Sequence, residues 1–265
     1  MTELSGRVAV VTGAARGLGR TIAHTLHQRG ASVAVVDIDL HSYRAFAGEA
    51  DAMRGDSTDA EIRAAGGAAR GYEVDLTERV AVEQLMRSVA EDFGGIDILV
   101  CNAGGGSGGV HENLAGSLDG AALQLMIDRN LHTTVNCCVA AAPYLREKGG
   151  GSIVTMSSIN GTGPTDDGAY AHYGVAKAAV AMYTRYLARD LGPLGVRANA
   201  IAPGTVPTGR LADVWRESGS APDTAAIALR RLPTPDEIAG TVAYLVGPDS
   251  SYLTGQIITL DGGRV

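Results

Sequence analysis

Short runs of consecutive apolar residues, many of them β-branched, alternate along the chain with longer Ala- and Leu-rich stretches whose apolar positions recur at helical spacing. That alternation is expected of parallel strands joined by crossover helices. The runs predict strands at Val8–Thr12, Ser32–Asp37, Ala69–Asp75, Ile96–Cys101, Ser152–Ser157, Val196–Ile201 and Ile257–Leu260. Their apolar character on successive positions suits strands covered on both faces. Helices are predicted over Leu18–Gln28, Glu78–Phe93, Leu123–Lys148, Ala171–Leu191 and Asp236–Leu245, with Thr77 and Thr234 as N-caps. The pattern lapses over Asp39–Ala60, Gly104–Gly120 and Gly204–Arg230, the last with room for short helices. No Pro/Ser-rich linker or internal repeat divides the chain. Residues 1–265 are therefore expected to form one doubly wound α/β domain, a seven-stranded mostly parallel sheet with helices on both faces and a substrate loop at about 204–232.

Composition narrows the function classes. The 22 Lys and Arg against 29 Asp and Glu leave a net charge of −7, and the basic residues are scattered, which argues against a nucleic-acid partner. No uninterrupted apolar run approaches the roughly 18 residues of a membrane span. The polar stretch Met1–Arg7 is unlike a signal peptide, so a cytoplasmic protein is expected. Cys101, Cys137 and Cys138 show no metal-ligand spacing with one another or with His111, His132 and His172, so neither disulfides nor a metal are expected. The chain's 36 glycines ask where backbone must bend tightly or approach a ligand.

One answer lies after the first strand, where Thr12-Gly13-Ala14-Ala15-Arg16-Gly17-Leu18-Gly19 opens the first helix. Such a turn points backbone N–H groups and a positive helix end at an anion, and a pyrophosphate suits it. The spacing is G-x-x-x-G-x-G rather than G-x-G-x-x-G, so its position after the first strand carries the argument. Asp37 ends the second strand 18 residues past Gly19, near the interval at which a carboxylate accepts from an adenosine ribose. An acid there repels a 2′-phosphate, which predicts NAD over NADP. The alternatives are a strand-end Asp that caps a turn, and an Arg16 cation that tolerates the extra phosphate.

With these residues in view, the chain resembles the short-chain dehydrogenase/reductase family over nearly its whole length. The resemblance rests on Thr12–Gly19, Cys101-Asn102-Ala103-Gly104, Asn130, Ser157-Ser158, Tyr173-x-x-x-Lys177, Asn199–Gly204, and Thr254-Gly255 with Asp261-Gly262-Gly263, all in order. Three departures stand out: Cys101 where the family usually has Asn, a 15-residue interval from Ser158 to Tyr173, and a long Asp39–Ala60 segment. The resemblance implies a Rossmann fold and reversible hydride transfer between a nicotinamide ring and an alcohol or ketone. It implies that Gly13, Arg16, Gly17, Leu18 and Gly19 hold the pyrophosphate, and that Asp75 and Leu76 touch the adenine. Asn102, Ala103 and Gly104 would flank the adenosine ribose, and Pro203, Gly204, Val206 and Thr208 the nicotinamide side. Ser158 would orient the substrate oxygen, Lys177 would also reach the nicotinamide ribose, and Asn130 would hold a water that links Lys177 to solvent. A homotetramer built on the two longest helices is implied as well.

The chemistry of the pair Tyr173 and Lys177 can be argued directly. Oxidising an alcohol needs a base for the hydroxyl proton, and tyrosine, with a pKa of about 10, needs help. A spacing of four puts Lys177 on the same helix face, where an ammonium favours the phenolate. Tyr170, the competing tyrosine, has Gly174 four residues on; Ser157 is the competing serine. The substrate is expected to be a small alcohol or ketone, with aromatic or amine-bearing compounds in view because Asp166 and Asp167 lie near the expected pocket mouth. Gly104–Gly109 reads as a mobile pocket wall. Two rival readings are an NADPH-preferring biosynthetic carbonyl reductase and a non-catalytic dinucleotide sensor.

Overall fold

The computed structural model describes residues 3–218 and 223–264, so positions 219–222 of the expected substrate loop lie outside the described residues. Seven parallel strands form one sheet: β1 (Val8–Thr12), β2 (Ser32–Asp37), β3 (Ala69–Glu73), β4 (Ile98–Cys101), β5 (Gly151–Met156), β6 (Val196–Pro203) and β7 (Ile257–Leu260). Their order is β3-β2-β1-β4-β5-β6-β7, so the chain reverses its direction of travel between β1 and β4. In such sheets the crevice for a ligand opens at the carboxyl ends of those two strands. The helices are α1 (Gly17–Gln28), α2 (Ala47–Ala52), α3 (Thr58–Ala64), α4 (Arg79–Phe93), α5 (Gly120–Met126), α6 (Thr133–Glu147), α7 (Ala171–Leu191), α8 (Gly209–Ser218) and α9 (Pro235–Val246).

Two-sided burial explains the continuous apolar runs. Ala9 and Val11 of β1 face Ile22 and Leu26 of α1 and Ile238 and Val242 of α9, whereas Val8 and Val10 face Val82, Leu85 and Met86 of α4 and Leu145 of α6. Each fully buried aliphatic side chain of this kind contributes about 1.5–3 kcal/mol. The described helices include none long and apolar enough to cross a membrane.

The expected strand and helix interiors are all present, and the differences fall at their ends. β3 stops at Glu73 because Asp75 accepts from the Thr77 N–H (2.9 Å) and hydroxyl (2.7 Å), closing a turn. That bond also employs Thr77, so it caps nothing; Thr234 does cap α9, in a reciprocal arrangement with Glu237. β4 starts at Ile98 because the Asp97 carboxylate accepts instead from the Val8 N–H (3.0 Å) and Arg7. The helix expected over Leu123–Lys148 begins at Gly120, capped by Asp119, and is interrupted at Ile127–His132 by a turn of π-helix.

The segment Asp39–Ala60 is more ordered than expected. It holds a 3-10 turn (Ser42–Ala45), all of α2 and the start of α3. The signal for α3 was a Ser57 N-cap with Asp59 and Glu61 in the first turn; its apolar face is too slight to show as a periodicity. Glu61 is the pin of this region. Its buried carboxylate accepts from Arg20 Nε and Nη2 (both 2.8 Å) and the Arg54 N–H (2.6 Å), and pairs with His24 Nε2 (2.9 Å). Burial alone would raise its pKa, but these bonds bring it down to about 2. A carboxyl depressed by folding stabilises the protein above its unfolded pKa, and that stability drains away as pH falls from about 4.5 towards 2. Glu61→Ala should therefore lower unfolding free energy in urea by about 3 kcal/mol at neutral pH, with a shrinking gap to the parent protein as the titration approaches pH 2.

Candidate active site

The turn from β1 into α1 is built around glycine. Gly13 and Gly17 have φ of +63° and +54°. A Cβ at Gly13 would lie 2.8 Å from Ala103 Cα, and one at Gly19 would lie 2.0 Å from the Gly13 carbonyl oxygen, so neither position admits a side chain. Asn102 fastens the turn by donating from Nδ2 to the Thr12 and Gly13 carbonyls (both 3.0 Å), and the Ala103 N–H donates to the Thr12 hydroxyl (3.0 Å). α1 has neither a side-chain N-cap nor an acid in its first turn. Its leading amides therefore face outward at the crevice, the arrangement that binds a phosphate.

Asp37 stands beside this turn. Its Oδ2 accepts from the Ala15 N–H (3.0 Å) and its Oδ1 from the Ile38 N–H (2.9 Å), so the carboxylate braces the loop as well as ending β2. Burial raises its pKa, opposed by these amides and by Arg16. Arg16 lays its guanidinium over the Phe46 ring, 4.4 Å from the centroid. Leu18 packs against the core beneath. Asp75 is exposed at its turn, and the buried Leu76 is held by Asn136, whose Nδ2 donates to its carbonyl (3.0 Å). Opposite the phosphate turn run Pro203, which ends β6, Gly204, whose N–H donates to Leu260 (2.9 Å), and the half-buried Val206. Thr208 closes on Gly17, where a Cβ would lie 3.6 Å from its own. The phosphate turn, Asn102, Ala103, Gly104 and Thr208 thus lie together, whereas Asp75 and Leu76 are engaged with Thr77 and Asn136.

The second group sits at the ends of β4 and β5. The two neighbouring serines divide their duties: buried Ser157 donates to the Lys177 carbonyl (2.9 Å), while Ser158 accepts from the Asn160 N–H (3.2 Å) and its hydroxyl draws the Tyr173 pKa down. Lys177, also buried, donates to the Met156 carbonyl (2.7 Å), with Nζ 5.7 Å from the centre of the Tyr173 ring. The ionisation differs from the sequence expectation. Burial pushes the Tyr173 phenol up to about 12, Ser158 pulling down and Tyr170 adding to the rise. Burial likewise pulls Lys177 down to about 8. The low dielectric that brings them together disfavours both charges.

Asn130 is fully buried in the π-helical turn. Its Oδ1 accepts from the Gly105 N–H (2.9 Å) and its Nδ2 donates to the Gly105 (3.2 Å) and Met126 (3.0 Å) carbonyls. It therefore grips the glycine run, and Gly104, at φ +135°, leaves no room for a Cβ against Asn130 Oδ1 (2.6 Å). Missed by sequence reasoning was Tyr170, a bulky residue held at φ +59° before α7. That conformation costs about 1–3 kcal/mol and is sustained by its surroundings. The Tyr170 N–H donates to Glu112 (2.8 Å), and its ring lies 5.2 Å from that of Tyr173 and 5.0 Å from His172. His172 in turn pairs with the Ser107 carbonyl (3.2 Å). The glycine run is thus clasped rather than loose. At its outer end Asp167 pairs with His111 (2.8 Å), which, with the Ala169 N–H and Thr165, brings its carboxyl down to about 2.

Asp39, His41 and Glu73 bring ligand atoms within 4.8 Å of one another at the surface. Two of these carboxylates already accept from the His41 (2.8 Å) and Leu40 (3.2 Å) amides, which accounts for the cluster.

Comparison with known proteins decides the family. A model described as enoyl-(acyl carrier protein) reductase matches residues 13–264. Cyclohexanol dehydrogenase of Rhodococcus sp. strain TK6 is 46% identical over 260 residues, 98% of this chain and 96% of that protein. The chain belongs to the short-chain dehydrogenase/reductase family. Other members similar to it are a 3-oxoacyl-[acyl-carrier-protein] reductase of Synechocystis sp., 33% identical over all of this chain and 99% of that one, and cis-4-hydroxycyclohexanecarboxylate dehydrogenase of Sinomonas cyclohexanicum, 34% identical over 97% and 96%. The crystal structure of a short-chain dehydrogenase/reductase from Mycobacterium marinum superposes with a TM-score of 0.82 at 30% identity, covering 98% of this chain and 96% of that one. This short-chain dehydrogenase/reductase is accordingly an oxidoreductase of a family that binds a nicotinamide dinucleotide.

The clasp on the glycine run can be tested by its fit. A Cβ at Gly106 would fall 1.7 Å from the Tyr170 hydroxyl oxygen, whereas one at Gly116 meets open space. Gly106→Ala should cost about 1–3 kcal/mol in urea unfolding and Gly116→Ala almost nothing.

Proposed function

We propose that this protein is an NAD-dependent dehydrogenase that interconverts a secondary alcohol and a ketone, with an alicyclic alcohol as the first substrate class to test. The observation that carries the reading is Lys177 Nζ 5.7 Å from the centre of the half-buried Tyr173 ring, with the Ser158 hydroxyl near enough to draw the phenol's pKa down. A sensor has no need of such a set. The dinucleotide fits the β1/β4 crevice: glycines 13 and 19 leave no room for side chains, and the outward amides of α1 suit its diphosphate. Asp37 at the end of β2 supports NAD, because a carboxylate near the adenosine ribose would repel a 2′-phosphate. When bound, the nicotinamide ring supplies the hydride exchange and, oxidised, a positive charge.

In this reading Tyr173 moves the proton. With its pKa near 12, the phenol is poised to donate to a ketone oxygen held by the Ser158 hydroxyl. In the oxidative direction it must first lose that proton, which requires nearby positive charge or rising pH. Lys177 keeps the neighbourhood tunable, since at about 8 it changes charge near neutrality. Support for the substrate class comes from the 46% identical relative, named for cyclohexanol, together with the hydroxycyclohexanecarboxylate enzyme. Asp167, engaged by His111, offers little to a cationic substrate. The 3-oxoacyl-[acyl-carrier-protein] reductase relative and Arg16 keep an NADPH-linked reductase as the second reading.

Assembly as a homotetramer through the long helices is supported by an exposed apolar stripe on α7, Val175, Met182 and Tyr186, beside Val139 of α6. The spacings of seven and four residues put the α7 members on one face. The reducing-cytosol reading is compatible with three buried free thiols, Cys101, Cys137 and Cys138.

A panel of alicyclic, aromatic and amino alcohols, read by NADH absorbance, tests the reaction; no turnover of any secondary alcohol would sink it. Tyr173→Phe should cut turnover by about 10²–10⁴-fold with dinucleotide affinity little changed, and oxidation by the parent enzyme should rise with pH as the phenol ionises. kcat/KM with NAD should exceed that with NADP, and Asp37→Ser should narrow the ratio; an equal or inverted ratio in the parent enzyme favours the NADPH-linked reductase.

A further inference from the structure

The first amide of α1 already has a partner. The Gly17 N–H, first in α1, donates to Glu49 Oε2 (2.9 Å), and the Gly209 N–H, first in α8, donates to Glu49 Oε1 (2.8 Å). One carboxylate from α2 thus spans the crevice, from the phosphate turn on one wall to the loop beyond Thr208 on the other. The bridge is reinforced locally. Phe46, just before α2, lies under the Arg16 guanidinium, and α2 packs against α8. Gly17 and Gly209 are both at positive φ, +54° and +50°, so each amide is turned by a backbone conformation that side chains disfavour.

α1 has no cap of its own, and a carboxylate at that end is favoured by the helix's partial positive charge. An N–H with a carboxylate oxygen at 2.9 Å has no room for a phosphate oxygen as well. We infer that Glu49 is an internal anion that competes with the dinucleotide's diphosphate for the Gly17 amide and must swing away before the cofactor seats. The inference rests on the dinucleotide reading of the crevice. Its further consequence is coupling: the displacement that opens Gly17 also releases Gly209, and with it the start of α8.

Isothermal titration calorimetry of the full-length parent, Glu49→Ala and Glu49→Gln with NAD, ADP and adenosine tests it, circular dichroism first confirming that each variant is folded. Glu49→Gln keeps the shape if the alanine variant fails to fold. Loss of a charge-assisted bond from the free protein should tighten NAD and ADP by about tenfold in both variants. Adenosine, which has no diphosphate, should bind all three proteins alike. NAD and ADP affinities unchanged or weakened in the variants, with the parent binding both, would overturn the competition and leave the dinucleotide reading standing. Failure of all three proteins to bind NAD, ADP or, titrated alongside them, NADP would overturn the dinucleotide reading, and this inference with it.

Discussion

The start of α1 leaves backbone amides with no partner inside the helix and none from the side chain of its own N-cap residue, Arg16, and much of the surrounding structure answers that deficit. Asn102 and Thr12 fix where β1 ends, so the amides point into the crevice rather than along the sheet. Asp37 takes Ala15 N–H, Thr58 of α3 donates to the Ala15 carbonyl (3.2 Å), and Glu49 takes Gly17 N–H. Segments far apart in the chain are therefore recruited to a single turn. A dinucleotide site requires this tension, because an anion-binding turn fully satisfied by its own protein would have nothing left to offer.

A similar opposition governs the chemistry. Shielding from water strengthens the hold of the Met156 carbonyl on Lys177, yet it also pushes both Tyr173 and Lys177 towards neutrality. Tyr173 is consequently held in its neutral form, while Lys177, at about 8, sits close to its point of charge change. Charge brought in by a bound ring, rather than by Lys177 alone, is what would shift the balance for oxidation.

The interiors of the strands were legible in the sequence because burial on two faces leaves unbroken apolar runs. Their ends were not, since they depend on individual side chains: Asp75 closes β3, and Asp97 delays β4. The Tyr173/Lys177 pair was visible because four residues bring two side chains onto one helix face. Its ionisation was not visible, because depth of burial has no local signature. Nor was Glu49, whose contacts span 32 and 160 residues, or α3, whose seven residues are too few to show a helical period. Tyr170 was set aside for want of a lysine, although its role in clasping Gly106 depends on the ring instead.

The π-helical turn at Ile127–His132 makes chain length itself a structural variable. Each residue of an α-helix advances the side-chain direction by about 100°. The wide turn absorbs extra chain, so that α5 and α6 each keep their own buried faces while Asn130 is aimed at Gly105. Shortening the helix by one position would let it relax into regular α geometry. Both halves would keep their buried faces, and the aim of Asn130 at the glycine run is what the deletion would cost. The extra residue of the wide turn thus serves the asparagine rather than the packing of the two helices.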